Sequence, residues 1–147
     1  MSKHETTITV ARPAVEAIQF VADVSHWAGW HPGNIEARQV SEGPMAIGAT
    51  IREVFWLLPP FKGKAVYRVT AFEPGQRFEL ESLESPVQVK IWYRAESVSE
   101  GTRVTLGNET ETSASMRLFE RFFPNMGQKI VESEARKLQT LLEAGLE

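Results

Sequence analysis

The sequence predicts an α+β chain in which a curved antiparallel sheet of about seven strands wraps a long C-terminal helix, with two short helices after the first strand. Three observations carry this. Strand-like runs with alternating polarity follow one another between residues 49 and 112, separated by turn residues such as Pro74-Gly75 and Glu100-Gly101. A single apolar-striped segment, residues 116–142, comes after them. A Thr/Ile/Val run opens the chain and is followed by helical rather than strand signals.

Taken in order, residues 5–10 read as the first strand. Arg12-Pro13-Ala14 ends it, and Pro13 suits the first turn of a helix whose apolar face holds Val15, Ile18, Val21 and Ala22. Residues 25–30 read as a second short helix, stopped by Pro32-Gly33. Residues 35–40 are a strand and Glu42-Gly43-Pro44 a loop. The meander then comprises residues 49–57, 64–72, 77–82, 87–97 and 102–112.

In the terminal segment Met116, Phe119, Phe123, Met126, Ile130, Leu138 and Leu141 recur at steps of three, four and seven or eight, which marks a helix with one apolar face. Pro124 lacks an N–H and crowds the preceding turn, so a kink, or a helix ending near Phe122, is expected. Gly127 permits close approach of a strand or a ligand, and Ser113 or Ser115 is the expected N-cap.

Residues two apart share one side of a strand, which assigns faces. Inward lie Ile51, Phe55 and Leu57, then Ala65, Tyr67, Val69 and Ala71. Phe78, Leu80, Val87, Val89, Ile91 and Tyr93 continue this face, with Val104 and Leu106. The opposite phase is rich in Arg, Lys and Glu, so the sheet has one wet face. Glu53, Ser82 and Asn108 fall in the inward phase and are its polar exceptions. Successive meander connections alternate between the ends of the sheet. Residues 58–63, 83–86 and 112–116 therefore share one end, where the apolar stretch 56–61 would meet Phe119, Phe122 and Phe123 as a pocket mouth.

At 147 residues the chain reads as one domain, and its 42% hydrophobic and 24% charged fractions are ordinary for a globular protein. A net charge of -3 without a run of Lys or Arg gives no footprint for nucleic acid. The chain has no Cys, hence no disulfide or thiolate site, which suits a reducing compartment. No apolar run approaches the ~20 residues of a membrane span. A cytoplasmic protein without integral membrane association, monomer or homodimer, is expected. No metal-ligand spacing, phosphate-cradling glycine loop or nucleophile elbow is present, so neither metal nor cofactor is expected.

The chain resembles the SRPBCC superfamily of START-like, helix-grip proteins, most closely its polyketide cyclase/dehydrase-like branch. The resemblance spans nearly the whole chain. It rests on residues 11–17 after the first strand, on residues 23–32 with Trp27, Trp30, His31 and Pro32, and on Gly43-Pro44 followed by Gly48. Residues 67–74, residues 101–105 and the terminal helix with Leu138 and Leu141-Leu142-Glu143 add to it. It implies the helix-grip fold and a ligand cavity between sheet and terminal helix. It implies no particular reaction, because the superfamily includes carriers, lipid and hormone binders, cyclases and dehydratases.

Each candidate residue carries two readings. Glu53 either faces the cavity, where desolvation would raise its pKa, or pairs with a neighbouring Arg or turns outward. His31 is a general acid or base at the pocket edge, or caps the short helix. Tyr67 and Tyr93 orient a ligand oxygen, or pack. Trp27 and Trp30 pack the second helix, or stack a flat ligand. Asn108 and Ser82 sit near the mouth, where exposure would explain them. Met116, Phe119, Phe123, Met126 and Ile130, with Phe55 and Leu57, are core or pocket lining according to how far the sheet stands off the helix.

Two functional classes follow. One is a binder of a small hydrophobic molecule, a lipid, isoprenoid or polyketide-like compound of roughly 300 to 500 Da. The other is a cofactor-free polyketide cyclase, aromatase or dehydratase, with Glu53 and Tyr67 or His31 moving a proton. An interaction module docking through residues 56–61 is a third possibility.

Overall fold

The alternating runs form one seven-stranded antiparallel sheet in a computed structural model that describes residues 2–111 and 113–144. The elements are β1 (Ser2–Val10), α1 (Ala14–Ala22), a short 3-10 helix (Val24–Gly29), β2 (Asn34–Gln39), β3 (Thr50–Leu58) and β4 (Phe61–Glu73). They continue as β5 (Arg77–Glu84), β6 (Val89–Val98), β7 (Gly101–Thr110), α2 (Ala114–Phe122) and α3 (Met126–Glu143). The sheet order β1-β7-β6-β5-β4-β3-β2 is the expected meander, closed at one edge by the first strand. The expected strand end at Thr112 lies outside the described residues.

The core is the inward phase of the sheet with α1, the 3-10 helix and α3 laid on it. Ile18 and Val21 of α1 are fully buried beside Phe78, Leu80, Tyr93 and Leu106. Val15, expected on that face, is instead 56% exposed. It sits in the first turn of α1 against the Gly75 turn, at the rim rather than over the sheet.

The helix break falls where Pro124 requires it. α2 stops at Phe122, and Asn125 takes a left-handed conformation, φ 63°, before α3 begins. Ser113 caps α2 by accepting from the Met116 N–H at 3.2 Å. This break resets the phase of the apolar stripe. In α3 the buried face is Val131, Glu134, Ala135, Leu138 and Leu142, packed on β1 and β7. α2 buries no residue at all. Phe119 and Phe123, which the stripe made core or pocket lining, are about half exposed and not core, because no sheet face packs on them.

Two corrections concern the sheet. Leu57 is 54% exposed, since β3 runs on past it to Leu58 and lifts the hairpin end clear of the core. Trp92 is buried although its phase is the outer one. Its Nε1 donates to Glu5 Oε2 at 2.7 Å, and Lys3 and Arg94 lie over its ring.

Candidate functional site

The loop after the 3-10 helix is tied on both sides. His31 N donates to Trp27 O at 2.7 Å, and Trp56 N of β3 donates to Gly33 O at 3.0 Å. Gly33 has φ 65°, which a side chain would oppose. The loop thereby holds the His31 ring flat on Trp27, with centroids 4.5 Å apart and planes 7° apart. Trp27 is itself fixed, its Nε1 donating to Val21 O at 3.0 Å. These two tryptophans pack the site: Trp30 meets Tyr93 edge-on at 5.5 Å.

Glu53, 2% exposed, lies beneath His31. His31 Nδ1 approaches Glu53 Oε2 to 2.9 Å in an ion pair whose alignment falls short of a straight hydrogen bond. Asn34 Nδ2 donates to the same oxygen at 2.7 Å, and Tyr67 OH donates to Oε1 at 3.0 Å. The sheet register arranges this. Tyr67 pairs with Ile51 and Ala65 with Glu53, so Tyr67 and Glu53 are diagonal neighbours on one face.

A second carboxylate, unforeseen in the sequence reading, completes the site. Glu134 of α3 is buried and accepts from Tyr93 OH at 3.0 Å. Its signal was present: position 134 lies four residues from both Ile130 and Leu138, so a charged residue occupies the apolar stripe. The pairing of His31 with Glu53 had no such signal, because it depends on how the loop folds back over β3.

The electrostatics follow from burial and pairing. Burial raises Glu53, but the close His31 charge and the hydrogen bonds from Asn34 and Tyr67 outweigh it, so its pKa ends lowered. This corrects the expected rise. Burial likewise lowers His31, while the Glu53 and Glu134 carboxylates outweigh burial and leave it raised. Glu134 is pushed up to about 6, chiefly by burial and also by Glu53, against opposing contributions from His31 and Tyr93. Both tyrosine hydroxyls are raised by burial and by these carboxylates, and stay protonated donors.

Above this network a cavity of about 310 Å³ separates sheet from helices. His31, Tyr67, Tyr93 and Glu134 form its polar wall, while Val89, Ile91, Met116, Phe119, Met126 and Ile130 make most of the apolar wall. Asn108 also lines it, beside its strand partner His4. Of the sequence-derived lining candidates, Phe55, Leu57 and Phe123 do not border the cavity, and neither does Glu53. Phe55 packs against the core, and Ser82 is buried, holding the β5–β6 turn through Val89 N and Gln88.

The open side also differs from expectation. His4, Glu120, Met126 and Gly127 border both this cavity and an outer cleft of about 530 Å³, so the two meet at the α2–α3 break rather than at residues 56–61. Gly127 lets the His4 ring of β1 lie against the start of α3, where a Cβ would force that ring to shift. Among the described residues no group of three or more His, Asp or Glu could hold a metal ion, and no helix is long and apolar enough to cross a membrane.

A family model described as polyketide cyclase/dehydrase and lipid transport matches residues 1–143. No curated protein matches the chain. Among solved structures, the Zhui aromatase/cyclase of a Streptomyces species is 17% identical with TM-score 0.78, over 99% of this chain and 96% of that one. A Thermus thermophilus protein is 16% identical with TM-score 0.79, over 98% and 99%. A START superfamily protein of Mycobacterium smegmatis is 12% identical with TM-score 0.69, over 97% and 94%. At such identities the likeness is one of fold, a curved seven-stranded sheet around a C-terminal helix, the helix-grip arrangement. The match along 143 residues goes further, and the chain belongs to the polyketide cyclase/dehydrase and lipid transport family.

Proposed function

We propose that this protein binds one small hydrophobic molecule, lipid, isoprenoid or polyketide-like, in the cavity between the sheet and α2–α3. Family and fold support hydrophobic ligand binding or polyketide cyclase/aromatase action. The observation that carries the binding reading is the cavity, about 310 Å³ with predominantly apolar walls and a few converging polar groups at one side. That volume lies at the lower end of the ~300–1,000 Å³ typical of ligand sites. Met116, Met126 and Phe119 supply adaptable apolar surface. The protein would act in the cytoplasm, as a monomer or homodimer.

One observation favours a second reading, a cofactor-free cyclase, aromatase or dehydratase. His31 borders the cavity with Glu53 behind it, and Asn34 and Tyr67 hold that carboxylate. A buried carboxylate keeps the imidazole charged and oriented, which suits proton donation to a ligand oxygen. In this reading His31 is the acid, Glu53 positions it, and Tyr67 acts only through Glu53.

Native mass spectrometry of freshly purified protein tests the binding reading. A retained small molecule, or uptake of one equivalent of an added isoprenoid or aromatic compound, is expected. Protein that carries nothing and takes up nothing would contradict it. A ligand recovered unchanged supports the carrier; a ligand recovered as its cyclised or dehydrated product supports the enzyme.

A further inference from the structure

Among His31, Tyr67, Tyr93 and Glu134, two side-chain atoms stand outside the contacts described above, and they are of opposite kind. His31 turns Nδ1 to Glu53, which does not border the cavity, and this leaves Nε2 on the cavity side, a donor while Glu53 holds the ring as imidazolium. Glu134 engages Tyr93 through Oε2, and its Oε1 has no partner among the described residues, so it is an acceptor. A hydroxyl can accept from the first and donate to the second at once. A ketone or ether can only accept, which leaves Glu134 Oε1 desolvated and unpaired.

Charge points the same way. The cavity is bordered by Glu134 and Glu120 and by no Lys or Arg among the described residues. Its one buried cation, His31, is already matched by Glu53. An entering carboxylate would add a further negative charge beside Glu53 and Glu134 without a free counter-charge, in a region where water screens poorly.

We propose that the cavity selects a ligand bearing a neutral hydroxyl, alcohol, phenol or enol, bound head-inward between His31 and Glu134, and that it excludes carboxylates. This deepens the binding reading and rests on it. The apolar remainder of the ligand lies along Ile91 and Ile130 toward the α2–α3 break.

Three probes of nearly one shape separate the terms: 2-naphthol, 2-methoxynaphthalene and 2-naphthoate, each titrated at pH 6.5 against bound Nile red. The wild-type protein should bind the naphthol about tenfold or more tighter than either of the others. Glu134→Gln presents an amide N–H where the carboxylate oxygen was, so both gaps should shrink severalfold as ether and naphthoate gain. Naphthoate or ether binding as tightly as naphthol to the wild type would overturn the proposal, as would unchanged ratios in folded Glu134→Gln. The wild-type order alone decides it if the variant does not fold. Failure of Nile red and all three probes to bind would overturn the binding reading itself, and the proposal with it.

Discussion

α2 and α3 carry the same kind of apolar stripe, yet only one of them is a core helix. α3 buries Val131, Ala135, Leu138 and Leu142 against β1 and β7. α2 buries nothing and, with the Phe123 that caps it, leaves Leu118, Phe119, Phe122 and Phe123 about half exposed or more. The difference lies in what stands opposite: a sheet face for α3, and for α2 the cavity on one side and solvent on the other. Apolar periodicity thus reports a helix with an apolar face, and the neighbouring element decides whether that face is anchor or pocket wall.

The contrast breaks most plainly by truncation. Leu138→Ala should lower unfolding free energy by about 2–5 kcal/mol in urea titrations, whereas Phe122→Ala should stay within about 0.5 kcal/mol. Equal effects would mean that α2 is as much part of the core as α3.

Next in size, Glu53→Gln removes the charge that holds His31, and should cost about 1.5–3 kcal/mol near pH 6. His31 is raised, so its contribution is full below its ordinary value of 6.5 and is lost as pH rises through the raised one. Glu53 is lowered, so its contribution is full above its ordinary 4.5 and is lost as pH falls through the lowered one. The cost of Glu53→Gln should therefore peak between those two ordinary values and shrink on either side, as followed by urea titrations across pH. A flat profile would contradict the ion pair.

Glu134 behaves oppositely to Glu53 because it is raised. Its favourable contribution is full below 4.5 and is lost as pH rises through about 6. Facing it are His31, Tyr93, Tyr67 and Glu53, with His4 and Glu120 at the open side. Relative to wild type, Glu134→Gln should gain about 2 kcal/mol between pH 4 and pH 8. Stability differences that do not change with pH would place the Glu134 carboxyl in water.

Hydrogen exchange gives the subtlest comparison. Amides of α2 should exchange much faster than those of residues 66–71 in central strand β4, and bound ligand should slow α2 alone. Equal protection of both without ligand would remove α2 as the mobile wall.

Much of this was legible in the chain itself. Alternation placed Glu53 inward with Tyr67, and Pro124 marked the helix break, because both are consequences of local geometry. Phe123 and Leu57 were misread for one reason: period assigns a side, not what lies on that side. Glu134 could have been read from its spacing, four residues from Ile130 and from Leu138, which puts a carboxylate in the apolar stripe. The contact of His31 with Glu53 spans 22 residues of sequence through a loop whose path no period encodes.

The central claim is that a ligand occupies the space between Tyr93, Glu134 and the α2–α3 break. Methyl-labelled methionine reads this directly, since Met116 and Met126 border the cavity while Met45 packs on the core away from it. In two-dimensional spectra, titration with 2-naphthol should shift the Met116 and Met126 methyl signals together and saturably, leaving Met45 in place. Saturable binding that leaves Met116 and Met126 unmoved, or that moves Met45 instead, would contradict it.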